Sequence, residues 1–376
     1  EREDMVVTVT HGGYVKRTPL ADYRAQGRGG KGLGGMAMKD EDFVTTLFVA
    51  NTHTPILIFT TDGMVYKLKT LRLPLGARNA RGRPIVNVLP VAQGVSIAAI
   101  MPVDAPEDHW ERLNIVFATS AGDVRRNKLS DFTNVKANGK IAMKLPEGVR
   151  MVGARICDEG HDVFLATAEG RAIRFRASDV RVFAGRDSTG VRGVRLISDD
   201  EVVSMAVLRH FMLTPEERNA YLKMRRAVEG SAEEAEEETA EEEAVAEIAL
   251  GQERYAEISA AEETILTITS KGLGKRTSSH EYPVRGRGGQ GVAAANLSPR
   301  QNDPDRRDAR IVAAWPVGAD DQVMLVTDKG QSIRCPVSDV STVSRAARGV
   351  RVLNVGADEK VVSVALIAEE SGDAEM

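Results

Sequence analysis

The chain has 376 residues, 42% of them hydrophobic, and 50 Lys plus Arg set against 54 Asp plus Glu give a formal net charge of −4. That balance is ordinary for a soluble globular protein, and no apolar run approaches the roughly 20 residues that cross a bilayer as a helix, so no membrane or secretion role is expected. Two cysteines, Cys157 and Cys335, cannot build a disulfide framework; they read as small core residues of a protein in a reducing cytoplasm.

The opening Glu1-Arg2-Glu3-Asp4-Met5 has neither an initiator methionine nor a signal peptide, which suggests a piece of a longer protein. A repeat follows. Counted from one glycine per copy, Thr stands at −3 and Lys or Arg at +4: Thr10, Gly13, Arg17; Thr60, Gly63, Lys67; Thr119, Gly122, Arg126; Thr167, Gly170, Arg174; Thr269, Gly272, Arg276; Thr327, Gly330, Arg334. Position +9 is acidic in five copies (Asp22, Asp131, Asp179, Glu281, Asp339) and Arg72 in the other, which suggests a turn or structural role.

In the first copy, Gln26-Gly27-Arg28-Gly29-Gly30-Lys31-Gly32 holds glycines spaced as in a dinucleotide-binding loop, yet no strand-to-helix context follows, so that reading is rejected. Such a loop can instead bring backbone close to a phosphate chain, with Arg28 and Lys31 supplying charge; a mobile surface loop is the plainer alternative. The second copy reads most clearly as a β-hairpin: Ile56-Leu57-Ile58-Phe59, a two-residue Asp62-Gly63 turn needing positive φ, then Val65-Tyr66-Lys67-Leu68-Lys69. Alternation puts Lys67 and Lys69 on one face, and Arg174 and Arg176 likewise in the fourth copy, so the +4 cation is expected to point to solvent while its neighbours enter the core.

Successive glycines lie 50, 59, 48, 102 and 58 residues apart, which suits one four-stranded sheet per unit and six propeller blades in an all-β ring. Approximate blade limits are 1–50, 51–108, 109–158, 159–208, 264–318 and 319–368, with an insertion at 209–263 and an acidic tail at 369–376. The insertion opens on Thr214-Pro215-Glu216-Glu217, a capping box with proline at the first helical position, and continues into a run from Glu233 to Glu247 too charged to pack, expected to be partly helical or disordered. It is either a solvated spacer or an electrostatic competitor of an anionic ligand. The fifth copy echoes the glycine loop as Arg285-Gly286-Arg287-Gly288-Gly289-Gln290-Gly291.

Residues 209–263 hold 16 acidic and 6 basic residues, and the tail adds Glu369, Glu370, Asp373 and Glu375, so the repeat body without them carries +10. Cations at equivalent places around a closed ring form a belt that matches a bent polyanion, and duplex DNA curved around it would be held through phosphates without base readout. The residues expected to contact DNA are Arg17, Lys67, Lys69, Arg126, Arg174, Arg176, Arg276 and Arg334. The histidines (His11, His53, His109, His161, His210, His280) show no metal spacing and no nucleophile motif; each reads as a surface or turn residue, and neither a catalytic nor a metal site is expected.

Gln26 to Gly32 resembles the seven-residue box Gln-Arg-Arg-Gly-Gly-Lys-Gly found in the C-terminal domain of the DNA gyrase A protein, and Glu3-Asp4-Met5-Val6-Val7-Thr8-Val9-Thr10-His11-Gly12-Gly13-Tyr14-Val15-Lys16-Arg17 is similar to that family's first blade. Gly27 departs from the pattern by replacing a cation. The resemblance implies a β-pinwheel whose blades exchange strands, wrapping duplex DNA on its rim with positive handedness, and a box (Gln26, Gly27, Arg28, Gly29, Gly30, Lys31, Gly32) that joins first blade to last. It further implies no catalysis by this chain alone and no cofactor in it. The partners implied are the dimerising N-terminal part of the gyrase A protein and the gyrase B protein, in an assembly of two of each that uses ATP and Mg to introduce negative supercoils. Two alternatives stay open: the related domain of the topoisomerase IV A-type protein, and a propeller-type protein-interaction module.

Overall fold

The computed structural model describes residues 1–24, 42–229 and 245–367. A strand that is apolar at every position has to be covered on both faces. Pro55–Thr60 is such a strand up to its closing threonine, with Ile56, Leu57, Ile58 and Phe59 all fully buried, and it pairs antiparallel with Met64–Lys69. Phe59 lies opposite Val65, which leaves residues 60–64 to make the turn around Gly63 rather than a tight two-residue reversal. The threonine at −3 explains the longer turn. Its carbonyl accepts from the glycine N–H (Gly13 to Thr10, 3.0 Å), and its hydroxyl accepts from the residue after the glycine (Tyr14 to Thr10 and Arg171 to Thr167, both 3.1 Å). The six repeat glycines have φ between +78° and +94°, the left-handed conformation that closes the longer hairpin turns.

A third strand flanks the first in every blade: Val44–Asn51, Ile97–Pro102, Met151–Cys157, Val202–Arg209, Ile311–Val317 and Val361–Ile367. From blade 2 to blade 6 these third strands touch in succession, and Val361–Ile367 packs on Val44–Asn51, so they surround the axis of a six-bladed propeller and the second strands lie outside.

The outermost strand of a blade comes from its successor. Arg83–Pro84 pair with Tyr14 and Val15, Lys140–Ile141 with Met64–Lys69, Val191–Arg192 with Asp123–Lys128, Val292–Ala293 with Arg171–Arg176, and Val350–Arg351 with Leu273–Ser278. The sheets are therefore not uniformly four-stranded: the third gains a parallel strand at Val182–Phe183, and the sixth has three strands among the described residues.

Among the described residues, five apolar clusters lie between consecutive blades, from Val7 and Ile58 between blades 1 and 2 to Ile268 and Leu325 between 5 and 6. In blade 3, Phe117 faces blade 2 while its neighbour Val116 faces blade 4, so both faces of the sheet are core.

Among the described residues the insertion carries two helices, Pro215–Glu229 and Gln252–Ala261. The capping box is in place, with Thr214 N–H to Glu217 Oε1 and Glu217 N–H to Thr214 Oγ1 both 3.2 Å. The described flanks of the insertion dock on blades 4 and 5: Tyr221 and Ile258 are buried, Tyr221 donates to Glu262 at 2.9 Å, and Ser278 of blade 5 donates to the same carboxylate at 2.7 Å. Burial and Glu262 push the Tyr221 phenol well above its usual range, so it stays a donor. The glutamates between 230 and 244, the tail from 368 and the box at 26–32 lie outside the described residues.

Candidate nucleic-acid interface

Strand exchange changes where the +4 cations can go. The outer half of each hairpin is faced by the next blade, so the side chain expected in solvent meets neighbouring backbone instead. Arg17 Nε donates to Leu73 O at 2.9 Å, Lys67 Nζ to Thr133 O at 2.6 Å, Arg126 Nε to Val180 O at 2.7 Å, Arg174 Nη1 to Ser279 O at 2.9 Å and Arg276 Nε to Val340 O at 2.6 Å. Leu73, Val180 and Val340 all occupy position +10 of the following copy. Five of the six cations in the expected belt are thus staples between blades, and a bond from a charged donor contributes about 1.5–3 kcal/mol.

Arg126 and Arg174 are only 4% exposed. Arg174 also donates to Asp162 Oδ2 at 2.8 Å and to Arg209 O at 3.1 Å, and the fully buried Asp162 takes a second bond, 2.8 Å, from His210 Nδ1. Lys67 is further held by Glu107 and lies 5.2 Å from the Trp110 ring. Guanidinium groups enclosed like those of Arg126 and Arg174 have most of their donors taken up by the protein, although Arg174 borders a cleft. Arg334 is exposed and bonded to Gln322.

The cations two residues further on do reach solvent. Lys69, Lys128 and Arg176 end their strands exposed, and the exchanged strands add Arg83, Arg192 and Arg351 on the outer edge. Lys144 and Arg195 extend the same rim. Among the described residues Lys69, Arg83, Lys144, Arg176 and Arg195 make no ion pair, whereas Lys128 has Glu111 at 3.6 Å. A cleft of about 480 Å³ between blades 4 and 5 and the insertion is lined by Arg174, Arg176, Arg218, Arg254 and Arg285, with Glu217 its one lining carboxylate among the described residues.

The fifth-copy glycine loop packs against the preceding blade. It crosses back over blade 4, where Arg287 donates to Asp179 O and Arg192 O, both at 3.1 Å, and Arg285 N–H to Arg174 O at 2.9 Å. Gly291 (φ +77°) is required there, because a Cβ would lie 2.2 Å from Ala172 O. A short strand follows rather than a helix, in keeping with rejection of the dinucleotide reading.

His280 lies in a turn, the 3-10 helix Ser279–Glu281, but not at the surface: it is 4% exposed, its Nε2 lies 2.8 Å from Ile258 O as donor, and burial lowers its pKa below the ordinary 6.5. Cys157 fits its core assignment, with burial raising its thiol to about 11; Cys335 is half-buried.

Threonine-glycine hairpins, exchanged outer strands and a cationic rim define a strand-swapped six-bladed propeller. The family model described as "DNA gyrase C-terminal domain, beta-propeller" matches residues 4–51, 54–104, 113–158, 161–209, 263–302 and 321–368. The chain belongs to that family. The DNA gyrase A protein of Granulibacter bethesdensis is 46% identical over 98% of the chain, which spans about 40% of that relative's length. Among solved structures, the C-terminal domain of DNA topoisomerase IV superposes with a TM-score of 0.72 (23% identity, 97% of this chain and 94% of that one). The DNA gyrase A C-terminal domain superposes with 0.59 (21% identity, 97% and 100%). At those identities the two superpositions speak for the fold alone.

Proposed function

We propose that this chain binds duplex DNA through phosphates along its outer rim and bends it into a positively handed wrap. The observation that carries this reading is the ring of exposed cations on the basic and exchanged strands, Lys69, Arg83 and Arg176 among them, none of these engaged in an ion pair among the described residues. Such contacts fix DNA by charge and release counterions, without base readout. Of the eight cations expected to contact DNA, Lys69, Arg176 and Arg334 keep that role here; Arg17, Lys67, Arg126, Arg174 and Arg276 are assigned to holding the blades together. Within a gyrase of two A and two B subunits, the wrap would feed ATP- and Mg-dependent strand passage that introduces negative supercoils, with catalysis supplied outside this chain. The box from Gln26 to Gly32 is assigned to the closure between first and last blades.

The test is topological. Relaxed circles incubated with the chain and a relaxing topoisomerase are expected to trap positive writhe after deproteinisation; circles that stay relaxed overturn wrapping. In a reassembled enzyme, Arg28→Ala with Lys31→Ala is expected to abolish supercoiling while leaving ATP-dependent relaxation.

A further inference from the structure

One residue before the staple, at position +3, the ring alternates. Blades 1, 3 and 5 carry Lys16, Arg125 and Lys275 there, whereas blades 2, 4 and 6 carry Tyr66, Ile173 and Ile333. The three cations are at most 1% exposed. Backbone carbonyls gather around each of them. Lys16 Nζ donates to Ala77 O (3.0 Å), Arg78 O (2.6 Å) and Ala80 O (2.9 Å). Lys275 Nζ donates to Ser344 O (3.2 Å), Ala347 O (2.9 Å) and Arg345 O. Arg125 donates to Arg186 O (2.8 Å) and Ser188 O (2.5 Å), and also to Ala142 O on the blade 2 side.

The acceptors on the following blade fall in one place. They lie in its crossover loop, between its short 3-10 turn and its exchanged strand, and that loop leads into the rim arginines: Arg83 in blade 2, Arg192 in blade 4 and Arg351 in blade 6. A buried cation that organises two or three carbonyls fixes the backbone of the loop, and fixing the backbone sets where its side chains start. The desolvation cost of burying the cation is offset only while the carbonyls point at it, so the loop has one favoured conformation. Arg125 shows that cost, since burial, reinforced by Arg186, draws its pKa down to about 10.

We propose that Lys16, Arg125 and Lys275 are positioning residues of the DNA rim, each holding the following blade's crossover loop so that its arginines are pre-organised for phosphates at every second blade. The inference rests on the DNA-binding reading above. It adds that blades 2, 4 and 6 are pre-formed contact sites whose geometry is set from the blade before.

The experiment is a double-mutant cycle on the whole chain, titrated with a linear mixed-sequence duplex over a range of salt. Lys275→Met is expected to weaken binding and to lower the slope of log affinity against log salt by about 0.9 for each phosphate it releases. Combined with Arg351→Ala it should add little further loss; combined with Arg83→Ala, on a distant blade, the two losses should multiply. Multiplication in both combinations, or a lowered melting temperature with binding unchanged, overturns the proposal. Lys275→Arg, which keeps a buried cation, should restore most of the affinity, and it carries the same cycle should the methionine variant fail to fold. Wild-type chain without salt-dependent binding would instead overturn the DNA reading itself.

Discussion

The seam between blades 3 and 4 and the seam between blades 2 and 3 use one geometry with opposite chemistry. At both, the crossover loop bears a left-handed glycine seated against the +3 side chain of the preceding blade: a Cβ on Gly190 would lie 2.7 Å from Arg125 Cβ, and one on Gly139 would lie 2.6 Å from the Tyr66 ring. Arg125 fills its slot with a cation satisfied by carbonyls, while Tyr66 fills the same slot with a ring whose hydroxyl donates weakly to Pro90 O at 3.3 Å. The apolar side of the second seam is correspondingly heavier. Phe59, Phe117 and Phe132 form three edge-on pairs with centroids 5.3 to 5.7 Å apart. Exchange fixes the path of the chain, and either polar or aromatic chemistry can then hold it.

The largest effect should come from the aromatic seam. Phe117→Ala is expected to lower unfolding free energy by about 4 kcal/mol in urea, nearly independent of salt, through reduced burial and the cavity left behind. At the cationic seam, Arg125→Met should cost about 3 kcal/mol by orphaning buried carbonyls, whereas Tyr66→Phe in the equivalent slot should cost less than about 1 kcal/mol. Equal losses for Arg125→Met and Tyr66→Phe would erase the distinction between the seams.

Arg176→Ala and Arg174→Ala separate rim from seam within one strand. The first should leave the urea midpoint unchanged and reduce the salt slope of DNA binding by about 0.9. The second should destabilise the protein, because Asp162 would be left buried with His210 as its remaining side-chain partner among the described residues. A pure binding defect in Arg174→Ala would return that residue to the rim.

The smallest effect concerns pH at the blade 4–5 seam, where His280 faces Glu262, Arg174 and Arg225. Its folded pKa lies below 6.5, so between the two values the unfolded chain binds more protons and stability rises with pH. Melting temperature should therefore fall as pH drops below 6.5, and His280→Asn should flatten that part of the profile.

Much of the architecture was legible in sequence because the hairpin is local. Thr10 and Gly13 are close enough in the chain for their chemistry to dictate a turn, even though the turn proved longer than Asp62-Gly63 suggested. The capping box at Thr214 was legible for the same reason. The fate of Arg126 and Arg174 was not, because alternation says which side chains share a face but not what lies across from that face. Their acceptors, Val180 and Ser279, are 54 and 105 residues away. The arrangement left a faint trace: a cation at +4 that never lapses across six copies marks a structural demand more than a solvated strand, whose charges are free to drift.

Taken alone, the sequence determined the repeat, the glycine that must turn left-handed, the blade count and a repeat body carrying +10 apart from its acidic segments. Tertiary structure decided which cations belong to that surface. Blades lend their outer strands to the ones before, and this exchange sets the +3 and +4 side chains against backbone from the following copy while leaving Lys69, Arg83 and Arg176 on the rim. Charge is a property of the residue, but exposure depends on what the rest of the chain brings against it.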